Sequence, residues 1–132
     1  MEIAHGEFDV SVMRQDKVTM VCTRLSGSFN EEGFQLWMEA MKKAIGSLRE
    51  ESFVMLVDEL EATGATPEAL TLANQYNSWL NSQAMIAKAV VYSASIYRDI
   101  DKKNIPARQS QNIEFFDSVS KAKTWLNEQQ SQ

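Results

Sequence analysis

Three carboxylates, Asp58, Glu59 and Glu61, follow directly on the apolar run SFVMLV. Acids so placed can hold a divalent cation or exchange protons with a substrate, because α/β proteins put ligands beyond the carboxyl ends of parallel strands. Three acids alone specify neither chemistry, and a solvated acidic loop is the simpler account. Nucleophilic catalysis has less to work with. The one histidine, His5, stands in a polar leader with no Cys, Asp or Ser at catalytic or metal-binding spacing. The one cysteine, Cys22, falls within VTMVC and reads as a buried thiol. No catalytic residue, metal site or cofactor is therefore expected.

Thr63, Gly64 and Thr66 sit just ahead of Pro67 and Glu68, a hydroxyl cap followed by a proline and an acid that together begin a helix. Free backbone N–H groups and the helix dipole favour an anion there, which makes Thr63 and Thr66 candidates for a regulatory or anion site; plain capping is the competing account. No Walker or dinucleotide glycine pattern accompanies them.

The elements that must position these residues can be read from apolar spacing. Residues 7–12 alternate, and KVTMVCTRL rises again after Arg14–Asp16, which predicts a β-hairpin. Ser28 or Asn30 caps a helix carrying Phe34, Trp37, Met38, Met41, Ile45 and Leu48. Residues 52–57 predict a central strand ending at Asp58, followed by a second helix over 67–83. A strand over 87–93 comes next, then a short third helix with Ile96, Tyr97 and Ile100 on one side and Pro106 beyond its end. NIEFF predicts the last strand. Asp117 or Ser118 caps a final helix with Val119, Ala122, Trp125 and Leu126 on one face, and the tail NEQQSQ is expected to fray. The order ββαβαβαβα implies an α/β fold with a mixed, mostly parallel five-stranded sheet, and 132 residues suit a single domain over 1–132.

A net charge of −5 and a pI near 4.9 disfavour nucleic acid as a partner. With no leader-like N-terminus, no long apolar span and a single thiol, the chain reads as cytoplasmic. Its charge is polarised, however. Residues 69–87 carry no charge at all, whereas residues 88–108 sum to +3 through Lys88, Arg98, Lys102, Lys103 and Arg108. An uncharged helix beside a basic one suits an anionic membrane surface, with Arg98, Lys102, Lys103 and Arg108 as the contacts; a solvated charge excess is the plainer account.

The segments FVMLVD running into TPEAL, NSWL, KAVVYS and IEFFDSVSKAKTWL resemble the SpoIIAA-like family of the STAS superfamily over nearly the whole chain. The resemblance implies a SpoIIAA-like (STAS-like) α/β domain. In the anti-sigma-factor antagonists of that superfamily a phosphorylatable serine in an Asp-Ser-Ser-Gly type motif begins the helix after a central strand. Here DELEATGATPEAL has no Ser-Gly pair and offers only Thr63 and Thr66. The same fold is shared by CRAL-TRIO carriers, which hold nonpolar molecules under mobile helices and associate with membranes.

Two readings of function follow. The first is a noncatalytic carrier or sensor of a nonpolar, lipid-like molecule, peripheral at a membrane, with a pocket lined by Leu70, Tyr76, Trp79, Leu80, Ile96 and Ile100; seven methionines supply adaptable apolar surface. The alternative is a STAS-type interaction module that docks a protein partner at the start of the second helix.

Overall fold

The computed structural model describes residues 6–15, 17–92 and 105–130. Five strands form one sheet in the order β1-β2-β3-β4-β5: Glu7–Gln15, Val18–Phe29, Phe53–Ala65, Met85–Val91 and Ile113–Phe116. β1 and β2 pair antiparallel from Gln15↔Val18 to Glu7↔Ser26, and the remaining pairings are parallel. The crossovers carry helix α1 (Glu31–Gly46), helix α2 (Pro67–Leu80) and a short 3-10 helix, Pro106–Ser110. A last helix, α3 (Val119–Gln130), packs on β3, β4 and β5.

β3 is central, and its alternating side chains explain why a continuous apolar run was needed. Phe53, Met55 and Val57 face α1 and α2, in one core with Val21, Leu25, Trp37, Met41 and Tyr76; Val54 and Leu56 face α3, in a second core with Ala122 and Leu126. β1 is an edge strand, so Phe8, Val10 and Val12 pack against the first core while their neighbours alternate outward.

Asn30 is the cap of α1, its Oδ1 accepting from Gly33 N at 2.8 Å, whereas Ser28 belongs to β2. Thr66 caps α2 by accepting from Ala69 N at 3.2 Å, and Ser118 Oγ accepts from Lys121 N at 3.2 Å ahead of α3. The predicted end of the central strand at Asp58 needs correction. β3 does not stop at Asp58 but runs to Ala65, because β2 also continues to Phe29 and supplies the backbone partners. Beyond Asp58↔Val91, and among the described residues, β3 pairs with β2 alone.

The C-terminus is also tighter than expected. α3 extends to Gln130, whose Oε1 accepts from Thr19 N at 2.8 Å and whose Nε2 donates to Ser52 O at 3.0 Å. Cys22 is half-buried rather than buried, its Sγ donating to Met13 Sδ at 3.7 Å, and desolvation raises its thiol pKa. The predicted third helix, with Ile96, Tyr97, Arg98, Ile100, Lys102 and Lys103, lies outside the described residues.

Candidate functional site

Where β2 and β3 outrun β4, two register shifts, between Arg24 and Ser26 and between Gly27 and Ser28, re-aim the side chains. Glu59 points to the α1/α2 side, yet Glu61 turns outward and pairs with Arg24 at 3.0 Å, while Ala62 and Gly64 return inward. The result is a cavity of about 320 Å³ at the carboxyl ends of the parallel strands. Its walls are Leu25 and Phe29 from β2, Ala62, Gly64 and Ala65 from β3, Phe34 and Trp37 from α1, Ala69, Leu70 and Ala73 from α2, and Ile105. Four polar side chains join them: Glu59, Asn77, Tyr92 and Arg108.

Asn77, Tyr92 and Arg108 are held by further hydrogen bonds. Lys88 is 1% exposed and donates from Nζ to Asn77 Oδ1 at 2.7 Å; Gln111 Nε2 donates to the same oxygen at 3.1 Å, and Asn77 Nδ2 donates to Ala73 O at 2.8 Å. Arg108 is 6% exposed, with Nη1 donating to Tyr92 Oη at 3.4 Å. Lys88 and Arg108 therefore do not belong to an exposed basic patch, which corrects the membrane-contact reading of Arg108. A cation held under a helix cannot meet a membrane surface.

The predicted pocket residues divide. Leu70 lines the cavity. Tyr76, Trp79 and Leu80 do not; Leu80 is core, and Tyr76 and Trp79 continue an aromatic row, Phe34–Trp37–Tyr76–Trp79, with centroid spacings of 5.0, 5.0 and 5.9 Å. Lys42 Nζ lies 5.2 Å above Trp79. Trp37 Nε1 donates to Thr23 Oγ1 at 2.9 Å, and Thr23 in turn donates to Asp9 O at 2.8 Å, so the row is anchored to the sheet. The Tyr76 hydroxyl is buried with no hydrogen-bond partner among the described residues, and burial pushes its pKa far above the ordinary phenol value.

The missing charges of α2 have a structural reason as well. Asn74 Oδ1 accepts from Ala107 N at 2.9 Å, and Asn81 Nδ2 donates to Ala107 O at 2.9 Å and Ser110 Oγ at 2.8 Å. The neutral amides grip the 3-10 helix. Sequence reasoning named Leu70 for the pocket and Glu59 only as a cation or acid/base candidate, and it missed Phe29, Trp37, Asn77 and Tyr92 as cavity residues; a Lys between alanines in an apolar strand was the available signal.

Outside the cavity, the starts of α1 and α2 meet in an open notch formed by Asn30, Glu31, Glu32, Gln35, Thr66 and Glu68. Thr66 N donates to Phe29 O at 3.0 Å, which locks the two starts together. Thr66 Oγ1 is occupied by its cap, and Thr63 Oγ1 shares a hydrogen bond of 2.7 Å with Ser28 Oγ. Asp58 Oδ1 accepts from Leu60 N at 3.1 Å. Among the described residues no group of acids, histidines or cysteines is arranged to hold a metal, and no helix is long and apolar enough to cross a membrane.

A solved structure with the same architecture is an uncharacterised protein of the DUF3478 family with a SpoIIAA-like fold from Shewanella loihica PV-4. It superposes with a TM-score of 0.73 over 96% of this chain and 98% of that one, at 14% identity. This chain has the SpoIIAA-like fold. An anti-sigma factor antagonist from Mycobacterium paratuberculosis matches at a TM-score of 0.49 and 15% identity, covering 92% of this chain and 95% of that one. No family model and no curated protein matches the sequence. In this SpoIIAA-like domain the cavity and the notch are two sides of one wall: Phe29, Phe34, Ala65 and Ala69 face inward, and their neighbours Asn30, Glu31, Thr66 and Glu68 face outward.

Proposed function

We propose that this SpoIIAA-like domain is a noncatalytic regulatory module that docks a protein partner at the joined starts of α1 and α2. The observation that carries this reading is the notch itself, an indentation in which two helix starts are tied by the Thr66 N–Phe29 O bond and flanked by Glu31, Glu32 and Glu68. Three carboxylates favour a basic partner segment and repel an anion. A phosphate on Thr66 would displace the cap and add negative charge beside those carboxylates, so modification there would weaken such docking.

A photo-crosslinker at position 68, with one at position 124 on α3 as control, tests this in native extract. A discrete protein adduct is expected at 68 only, lost with Glu31→Lys. Equal labelling at both positions, or indifference to Glu31→Lys, would count against it.

A second reading is favoured by the cavity: the module senses a small nonpolar molecule, whose occupancy props the inner side of the wall that the partner meets outside. Its support is the largely apolar, partly open space at the carboxyl strand ends, a size and location that suit ligands in α/β folds.

A further inference from the structure

We infer that β1 is a self-association edge: two copies of this chain join antiparallel along Glu7–Gln15, about a two-fold axis at Ser11, and merge their five-stranded sheets into one. A sheet edge presents a row of backbone N–H and C=O groups without ladder partners, and soluble proteins shield such edges by keeping them short, bulged, or interrupted by proline or charge. The two edges here differ. β5 is four residues long. β1 runs for nine, contains no proline, pairs with β2 without a register shift, and among the described residues has β2 as its one strand neighbour.

The charges along the strand identify the occupant. Glu7 and Asp9 make one end acidic, whereas Arg14 and Lys17, against Asp16, leave the other basic. Arg14 also meets Glu51 at 3.3 Å in a pair exposed on both sides; Glu7, Asp9 and Lys17 are in no ion pair among the described residues. An antiparallel copy sets each acidic end beside the other copy's basic end, while an in-register parallel copy sets like charges together. With Ser11 opposite Ser11 all nine residues pair: Val10 meets Val12, Asp9 meets Met13 and Arg14 meets Phe8, so no like charges are opposed. The apolar residues agree. Phe8, Val10 and Val12 are only partly buried against the first core, and Met13, which alternates to the opposite face, is 43% exposed. A further strand at this edge adds cover on both faces of the sheet. The arrangement is isologous, consumes both β1 edges and stops at two chains.

A contact one strand wide is narrow, so the association is reversible and is tested by sedimentation velocity of the full chain over about 10–1000 µM. The mass is expected to rise from 15.0 kDa towards twice that value, with slower amide exchange along β1 at high concentration and none of this slowing in β5. Ser11→Lys, at an exposed position, sets two ammonium groups face to face at the axis and should weaken association about five-fold. Glu7→Lys with Asp9→Lys makes one chain basic at both ends of β1, and Arg14→Glu with Lys17→Glu makes another acidic at both. Each alone is expected to stay at 15.0 kDa, and their mixture to form a one-to-one pair. A natural chain that is monomeric throughout, a dimer indifferent to Ser11→Lys, or charge variants that do not recombine would overturn the assignment.

Discussion

Asn77 is the residue on which the inner face of α2 turns, since it places an amide where an amphipathic helix would put a hydrocarbon. It holds the Lys88 ammonium under the helix, and removing it takes an acceptor from a buried charge. Asn77→Ala is expected to lower stability by about 1.5–3 kcal/mol, whereas Lys88→Met, which removes the charge and keeps the volume, should cost less. Urea midpoints of the two variants decide the order, and the reverse order would show that the Lys88 charge is itself stabilising. Glu51 makes a surface contribution of known sign. It accepts hydrogen bonds from Thr19 Oγ1 and, at 3.3 Å, from Arg14 Nη2, and these hold its carboxyl below the ordinary value. A depressed folded-state pKa stabilises the fold above the unfolded-state pKa and loses that contribution as pH falls through the folded-state value. Glu51→Gln should therefore reduce the acid sensitivity of the melting temperature, and unchanged sensitivity would assign it to other carboxylates. Neither role is legible in sequence: Lys88 and Glu51 look like ordinary solvated charges until their neighbours are known.

At the scale of elements, the β2–β3 extension is what makes the cavity. Pairing beyond Asp58 depends on the register shifts, and Gly27 occupies one of them at φ +78°, a backbone region costly for other residues. Gly27→Val is expected to destabilise by about 1–2 kcal/mol, from the left-handed backbone penalty, and to speed amide exchange of Ala62–Ala65 before that of Phe53–Val57. Uniform loss of protection along β3 would show that the extension does not open separately. The 3-10 helix depends on α2 in a similar way. With Asn81→Ala its contacts to Ala107 and Ser110 are lost, so exchange at residues 107–111 should rise while α1 is unchanged. The element pattern in the sequence was clear where one face met a core, as in α1 and β1. It misplaced the end of β3 because DELEATG is polar, and only the continued pairing with β2 makes that segment a strand.

For the molecule as a whole, the two cores have different consequences. The core under α3 is closed by Ala122 and Leu126 on Val54, Leu56, Ala87, Ala89 and Val91, while the core under α1 and α2 contains the cavity. Open space in a core forfeits contacts, so filling it should be favourable. Ala73→Leu, which projects from α2 into the cavity, is expected to stabilise the chain by about 0.5–2 kcal/mol and to abolish binding of apolar probes. A fall in the thermal midpoint would mean that the walls cannot receive the added side chain.

Much of the architecture was already determined by the sequence alone. Apolar residues at intervals of two or of three and four, caps at Asn30, Thr66 and Ser118, and the alternation of strands with helices require a mixed sheet covered by helices, because those are local consequences of burying one face. Tertiary structure decided which polar groups face inward. Lys88 and Arg108 add to a basic segment in one dimension but are buried in three, and Tyr76 and Trp79 pack into an aromatic row while Phe29 and Trp37 form the cavity wall. Periodicity assigns a side chain to a face, whereas the space in front of that face depends on register shifts, strand overhang and the packing of distant segments.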